Sequence, residues 1–238
     1  MKLLISNQHG AIVMALMPFL YGMLLSNPIW QHFFLLLSWF SLYLMTYPFL
    51  NLFKGRNLEL YRKWTLIYGV ACFLFSLPAF FHNWKIIYFV FAILALSPIS
   101  IYYIKQKDER ALGNDFNGIL IFAIAGMAAY YFADSQFDEK IWWVALLPSI
   151  YFIGSTFYVK SVLRERKNPL YMKISVIFHT LSIVIFLPWQ QYWLALAFIT
   201  PFIRAVWIPK LKLSTKQIGL IEVAVSLIFF ALLLIASL

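Results

Sequence analysis

Nine apolar stretches divide this chain of 238 residues, and nearly all of its positive charge falls in alternate gaps between them. The stretches are 10–26, 29–50, 64–82, 84–104, 115–133, 141–160, 170–187, 189–207 and 217–238. Most are close to the ~20 residues that cross a hydrocarbon layer as a helix. A lipid-embedded backbone must pair every amide and carbonyl within the protein, so runs of this length become helices. Alternating ten-residue strands, as a membrane barrel requires, are absent from the pattern. The expected fold class is therefore all-α: a polytopic membrane bundle of about nine transmembrane helices, forming one transmembrane domain over 1–238.

Composition supports this class. Apolar residues make up 63% of the chain and charged residues 12%, against roughly half and a quarter in a soluble domain. The net charge of +10 does not point to nucleic acid, because the cations are spread over short loops. Cys72, the sole cysteine, excludes an intrachain disulfide and a thiolate metal cluster. Turn signals mark several of the gaps: Asn27-Pro28, His82-Asn83, Asp134 to Lys140, and Pro188.

Charge also orients the bundle. Of 19 basic residues, 17 fall at the N-terminus or in the even-numbered gaps, leaving only Lys85 and Lys140 in the others. The positive-inside rule places the N-terminus and the four basic loops in the cytoplasm, and an odd helix count places the C-terminus outside. Trp30, Trp84, Trp142, Trp143 and Trp189 open helices at the outer interface, where indoles concentrate. Trp39 falls in mid-membrane. The expected setting is a bacterial plasma membrane, with the lipid bilayer as the first partner and no nucleic acid.

Any chemistry must then sit in the bundle or at its cytoplasmic mouth, where polar residues gather. Candidate ligand-binding residues there are His9, Arg62, Glu109, Arg110, Asn114, Asp115, Tyr158, Lys160, Arg164, Arg204 and Glu222. Asp115 opens a helix and also reads as a plain N-cap. Tyr158, Ser161 and Glu165 share one face if the sixth helix continues past the membrane, beside the basic stripe of Lys160, Arg164 and Lys167. That stripe reads either as side chains snorkelling to anionic head groups or as capture of a phosphate or diphosphate. Glu222 lies six residues beyond Lys216, about 9 Å into its helix, where a lone carboxylate must be protonated or paired. Arg204 is the geometrically reasonable partner, and the pair reads equally as structural or as a site for protons or ligand. His32, His82 and His179 admit haem ligation, but no spacing enforces it.

Asn7-Gln8-His9-Gly10-Ala11 at the start of the first helix resembles the opening of the YwiC-like family of bacterial membrane proteins. So do Tyr61-Arg62, Glu109-Arg110 with Asn114-Asp115, and Tyr158-Val159-Lys160 with Arg164-Glu165-Arg166. The resemblance covers most of the chain and implies that the polar segments at the cytoplasmic mouth act together. A more distant similarity is to UbiA-type intramembrane prenyltransferases, which also have nine helices and an inner N-terminus. Those enzymes hold Mg²⁺ and an isoprenyl diphosphate on two Asp-rich loops. The equivalent loops here offer only Glu59 and Glu165. This similarity implies an isoprenoid or other phosphate-bearing lipid as ligand and Mg²⁺ as the cofactor of an active transferase. Two further classes stay open: a transporter of a small anion, proton-coupled through Glu222 and Arg204, and a non-catalytic assembly or haem-related factor.

Overall fold

The computed structural model describes residues 3–5, 9–55, 57–211 and 213–237. Nine α-helices account for most of them: α1 (His9–Leu25), α2 (Gln31–Leu52), α3 (Leu58–His82), α4 (Ile87–Lys105), α5 (Leu112–Phe132), α6 (Glu139–Val159), α7 (Pro169–Val184), α8 (Tyr192–Trp207) and α9 (Thr215–Ser237). No strand occurs among the described residues. Seven of the nine are long and apolar enough to cross a membrane, α8 together with the 3-10 turn Ile208–Lys210 that extends it. The other two, α1 with 17 residues and α7 with 16, are apolar but shorter. At 1.5 Å per residue each reaches ~25 Å, against ~30 Å of hydrocarbon. The protein is a multi-pass helical membrane protein.

Element ends follow local chemistry. The helix expected from residue 64 begins instead at Leu58, because Glu59, Arg62 and Lys63 extend it by a polar first turn and a half. Asn168 caps α7 by accepting the Leu170 amide at 3.0 Å, with Pro169 in the first helical turn. At the end of α6 the helix does not continue in α register. Lys160–Arg164 form a π-turn, with the Glu165 amide donating to the Lys160 carbonyl at 2.6 Å. This wider turn breaks the expected shared face: Tyr158 and Ser161 are buried, whereas Glu165 is exposed. Such turns are rare and concentrate at functional sites.

The described residues form two compact units, Met1–Leu146 and Leu147–Leu238, with the division inside α6. In the first unit α1 packs closely on α5, α2 pairs with α3, and α4 lies against α5. The α1–α5 contact brings backbones together, which glycine permits. A Cβ on Gly22 would run into the Gly126 carbonyl oxygen, and one on Gly126 would meet the Pro18 carbonyl oxygen at 2.6 Å. Small residues at such crossings are a common solution between membrane helices.

Polar side chains inside this unit mostly close backbone orphans. Trp39, in the middle of α2, donates its indole N–H to the Ala15 carbonyl at 2.8 Å, joining α2 to α1. His32 accepts the Ile29 amide on Nδ1 (3.1 Å), so its Nε2–H donates to the Ala129 carbonyl (3.0 Å). Asn83 donates to the Phe132 carbonyl at 3.0 Å. Two side chains from outside α5 thus satisfy carbonyls of its last turn, which no helix can satisfy for itself. Outward, α3 and α4 expose Leu66, Phe73, Phe81, Tyr88 and Phe91, an apolar surface suited to lipid.

Ala at Gly22 or Gly126 should lower stability by about 1–3 kcal/mol through overpacking. Gly118→Ala, on the same helix with open space around it, should leave stability nearly unchanged. Thermal unfolding in one detergent, compared across the three variants, checks this.

Candidate functional site

In the second unit α7 packs on α8 and α8 on α9, with the second half of α6 beside them. An aromatic column fixes the apolar half of this unit. Tyr151 stacks on Phe229 (centroids 4.2 Å apart), Phe229 meets Phe198 edge-on (5.1 Å), and Phe198 stacks on Phe186 (5.5 Å). Arg204 lies next to this column, only 2% exposed, on an otherwise apolar helix.

A guanidinium has five N–H donors and no acceptor, so burying it demands oxygen or nitrogen acceptors on every side. Three neighbouring helices contribute. Arg204 Nη1 donates to Glu222 Oε2 of α9 at 2.8 Å, the ion pair that the depth of Glu222 requires. Nη1 and Nη2 both donate to Ser155 Oγ of α6 at 3.2 Å. Nη2 also meets His179 Nε2 of α7 at 3.2 Å. The flat face of the guanidinium lies 4.4 Å from the Tyr158 ring and 5.9 Å from the Tyr151 ring, both on α6. Tyr151 in turn shares a 2.8 Å hydrogen bond with Ser226 of α9.

The hydrogen bonds fix the His179 tautomer. Its Nδ1 faces the Ser175 carbonyl at 2.7 Å, an acceptor only, so Nδ1 carries the hydrogen. Arg204 is a donor only, so Nε2 accepts. Both ring nitrogens of His179 are thereby engaged by protein, as are both of His32, and neither presents a lone pair to haem. Gly154 makes room for the imidazole: a Cβ there would sit 3.0 Å from His179 Nε2. Three buried polar atoms of the cluster have no hydrogen-bond partner among the described residues: Arg204 Nε, Glu222 Oε1 and the Tyr158 hydroxyl.

One turn from this cluster, Tyr158, Val162, Ala205 and Ile218 form an apolar layer. Val162 and Ile218 are also walls of a pocket of about 280 Å³. The pocket opens among the π-turn, the start of α7, the end of α8 and the start of α9. Its polar lining is Ser161, Arg166, Lys167 and Asn168, and its apolar lining includes Met172, Ile208, Leu211 and Leu213.

The sequence-derived candidates fall into separate groups. Tyr158, Arg204 and Glu222 come together in the second unit. Lys160, in the π-turn, is buried and engaged, whereas Arg164 is exposed. In the first unit, Glu109 pairs with Lys54 at 2.6 Å and its carbonyl accepts from Asn114 Nδ2 at 2.8 Å. Asp115 sits half-buried in the first turn of α5, and Arg110 and Arg62 are exposed. The His9 side chain lies outside the described residues. Tyr151, Ser155 and Ser226 are not among those candidates, the sequence admits His179 only as a haem ligand, and it does not single out Arg166 as a pocket residue. Small hydroxyls and a lone histidine on apolar helices give no signal until neighbouring helices are placed. Among the described residues no three of His, Cys, Asp or Glu come together.

Removing one partner of a buried ion pair leaves the other uncompensated, at a cost of about 3–5 kcal/mol. Arg204→Met should therefore destabilise the protein strongly, while Arg204→Met with Glu222→Met should recover much of the loss. A double-mutant cycle read by thermal unfolding measures the coupling.

The sequence profile of the family described as YwiC-like protein matches residues 5–130. An uncharacterised protein of Haemophilus influenzae is 63% identical over 238 residues, covering 100% of both chains. The uncharacterised protein YwiC of Bacillus subtilis is 36% identical over 233 residues, covering 98% of each. No solved structure matches the chain. The Arg204 cluster lies beyond the profile match but inside the span of both relatives. The chain belongs to the YwiC-like family.

Proposed function

We propose that this YwiC-like protein captures a phosphate-bearing amphiphile, an isoprenoid phosphate or a similar lipid phosphate, at the mouth of its second unit. The observation that carries the reading is the mixed character of the pocket. Cationic Arg166 and Lys167 line it together with apolar Met172, Ile208, Leu211, Leu213 and Ile218. A phosphate head matches the guanidinium and ammonium donors, and a hydrocarbon chain matches the apolar wall. The lining residues include no carboxylate, so the cations meet the anion directly. The distant likeness to UbiA-type enzymes supports the ligand class and rests on sequence pattern only. The charge bias of the loops supports a cytoplasmic position for this mouth, with the N-terminus on the same side.

A carrier reading, for a small anion moving with protons, has one specific support: the Arg204–Glu222 pair, an ion pair in a span-length helical setting. Ionisable groups in such places mark ion pathways in many membrane proteins.

Farnesyl phosphate and farnesol, added to the protein in phosphatidylcholine nanodiscs and read by native mass spectrometry, separate head-group recognition from simple greasiness. Saturable binding of the phosphate, and far weaker binding of the alcohol, is expected. Replacing both Arg166 and Lys167 by Gln should remove about 2 kcal/mol, near thirty-fold in affinity. Equal binding of the two ligands, or an unchanged double variant, would contradict the pocket.

A further inference from the structure

We infer that Arg204 is the centre of an anion site that Glu222 fills in this structure as an internal ligand, and that a singly charged oxyanion replaces the Glu222 carboxylate when Glu222 carries a proton. The site goes beyond the amphiphile pocket and does not rest on it, since Arg166 and Lys167 stand outside the cluster.

Three features distinguish this arrangement from a finished structural ion pair. Glu222 engages Arg204 with one oxygen only: Oε2 is bonded, and Oε1 has no partner among the described residues. A guanidinium committed to a carboxylate normally takes both oxygens in a fork. Arg204 also keeps a buried Nε–H without a partner, although the residue is only 2% exposed. Tyr158, 0% exposed, presents a hydroxyl in the same state, on the ring that lies 4.4 Å from the guanidinium. Two spare donors and a spare carboxylate oxygen in one apolar setting match what an incoming oxyanion needs. The donors bind it, and the carboxyl group it displaces must give up its charge.

Rigidity favours exchange at Glu222 rather than movement of the cation. Ser155, His179 and the rings of Tyr151 and Tyr158 hold Arg204 from α6 and α7, and among the described residues Glu222 is its hydrogen-bond partner from α9. The Glu222 side chain is 15% exposed, against 1% for Arg204, although its Oε1 is itself buried.

Charge balance sets the stoichiometry. The charged or titratable groups acting on Glu222 are Arg204 from α8 and Tyr151 and Tyr158 from α6, with His179 of α7 reaching it through Arg204. One cation and one anion make the resting cluster neutral. An added anion would leave a net negative charge in a setting that tolerates none. A proton on Glu222 restores neutrality, so one anion enters with one proton. Oxyanions of carboxylate, sulfonate or phosphate type fit, because the group they replace is a carboxylate.

Methanesulfonate is a suitable probe because its charge stays fixed through neutral and acid pH. Binding to the full-length protein in phosphatidylcholine nanodiscs is followed by saturation-transfer NMR on the methyl signal. Wild-type affinity should rise close to tenfold per unit fall in pH between about pH 8 and pH 5.5, as uptake of one proton requires. Glu222→Gln should bind at least tenfold more tightly than wild type at the upper end of that range, with no pH dependence. Adding Arg204→Gln should abolish this binding, and the Arg166→Gln/Lys167→Gln variant should keep the wild-type profile. Tyr158→Phe retains the ion pair and the ring, so it serves if the charge variants do not fold; it should bind several-fold more weakly at acid pH. A pH-independent wild type, a Glu222→Gln variant no tighter than wild type, binding that survives loss of Arg204, or an unaltered Tyr158→Phe variant would each overturn the site. Loss of binding on removing Arg166 and Lys167 would assign it to the pocket instead.

Discussion

A guanidinium placed inside an apolar helical unit has to be surrounded by acceptors, and the second unit of this protein is arranged around that demand. Arg204 draws Ser155 from α6, His179 from α7 and Glu222 from α9 to one point. Each acceptor sits on a different helix, so the relative rotation of four helices is fixed by one side chain. The aromatic column from Tyr151 to Phe186 packs beside it, in stacked and edge-on pairs. Such a division of labour suits a membrane protein, where apolar surfaces are indifferent to one another and polar contacts set register.

The first unit meets the same constraint by other means. Its buried polar groups serve the backbone: Trp39 closes on the Ala15 carbonyl, and His32 and Asn83 close on the end of α5. Where α1 crosses α5, close packing replaces polar contact, with Gly22 and Gly126 removing the side chains that would hold the backbones apart. The two units therefore differ in the kind of interaction that determines helix position. In the second unit, that interaction leaves polar atoms over.

Much of the fold could be read in the chain. Apolar runs of near-spanning length and the turn signals at Asn27-Pro28 and His82-Asn83 located the helices, because lipid leaves the backbone no alternative to helix. The depth of Glu222 called for a cationic partner, and Arg204 provides it. The π-turn at Lys160–Arg164 was illegible, because nothing in those residue types distinguishes hydrogen bonds five residues apart from the four of an α-helix. Its consequence was large: Glu165 leaves the face it would have shared with Tyr158. The pairing of Ser155 and His179 with Arg204 was equally hidden, since a polar residue on an apolar helix has no visible partner until the angular position of each neighbouring helix is known.

The central claim is that Arg204 sits in a ring of acceptors of fixed orientation, and the His179 imidazole reports on it directly. Nitrogen-15 NMR of histidine-labelled protein in lipid should show His179 with its hydrogen on Nδ1 and with Nε2 accepting a hydrogen bond. Replacement of Arg204 should shift the Nε2 resonance. An Nε2–H tautomer, a doubly protonated ring, or an Nε2 resonance indifferent to Arg204 would contradict the account.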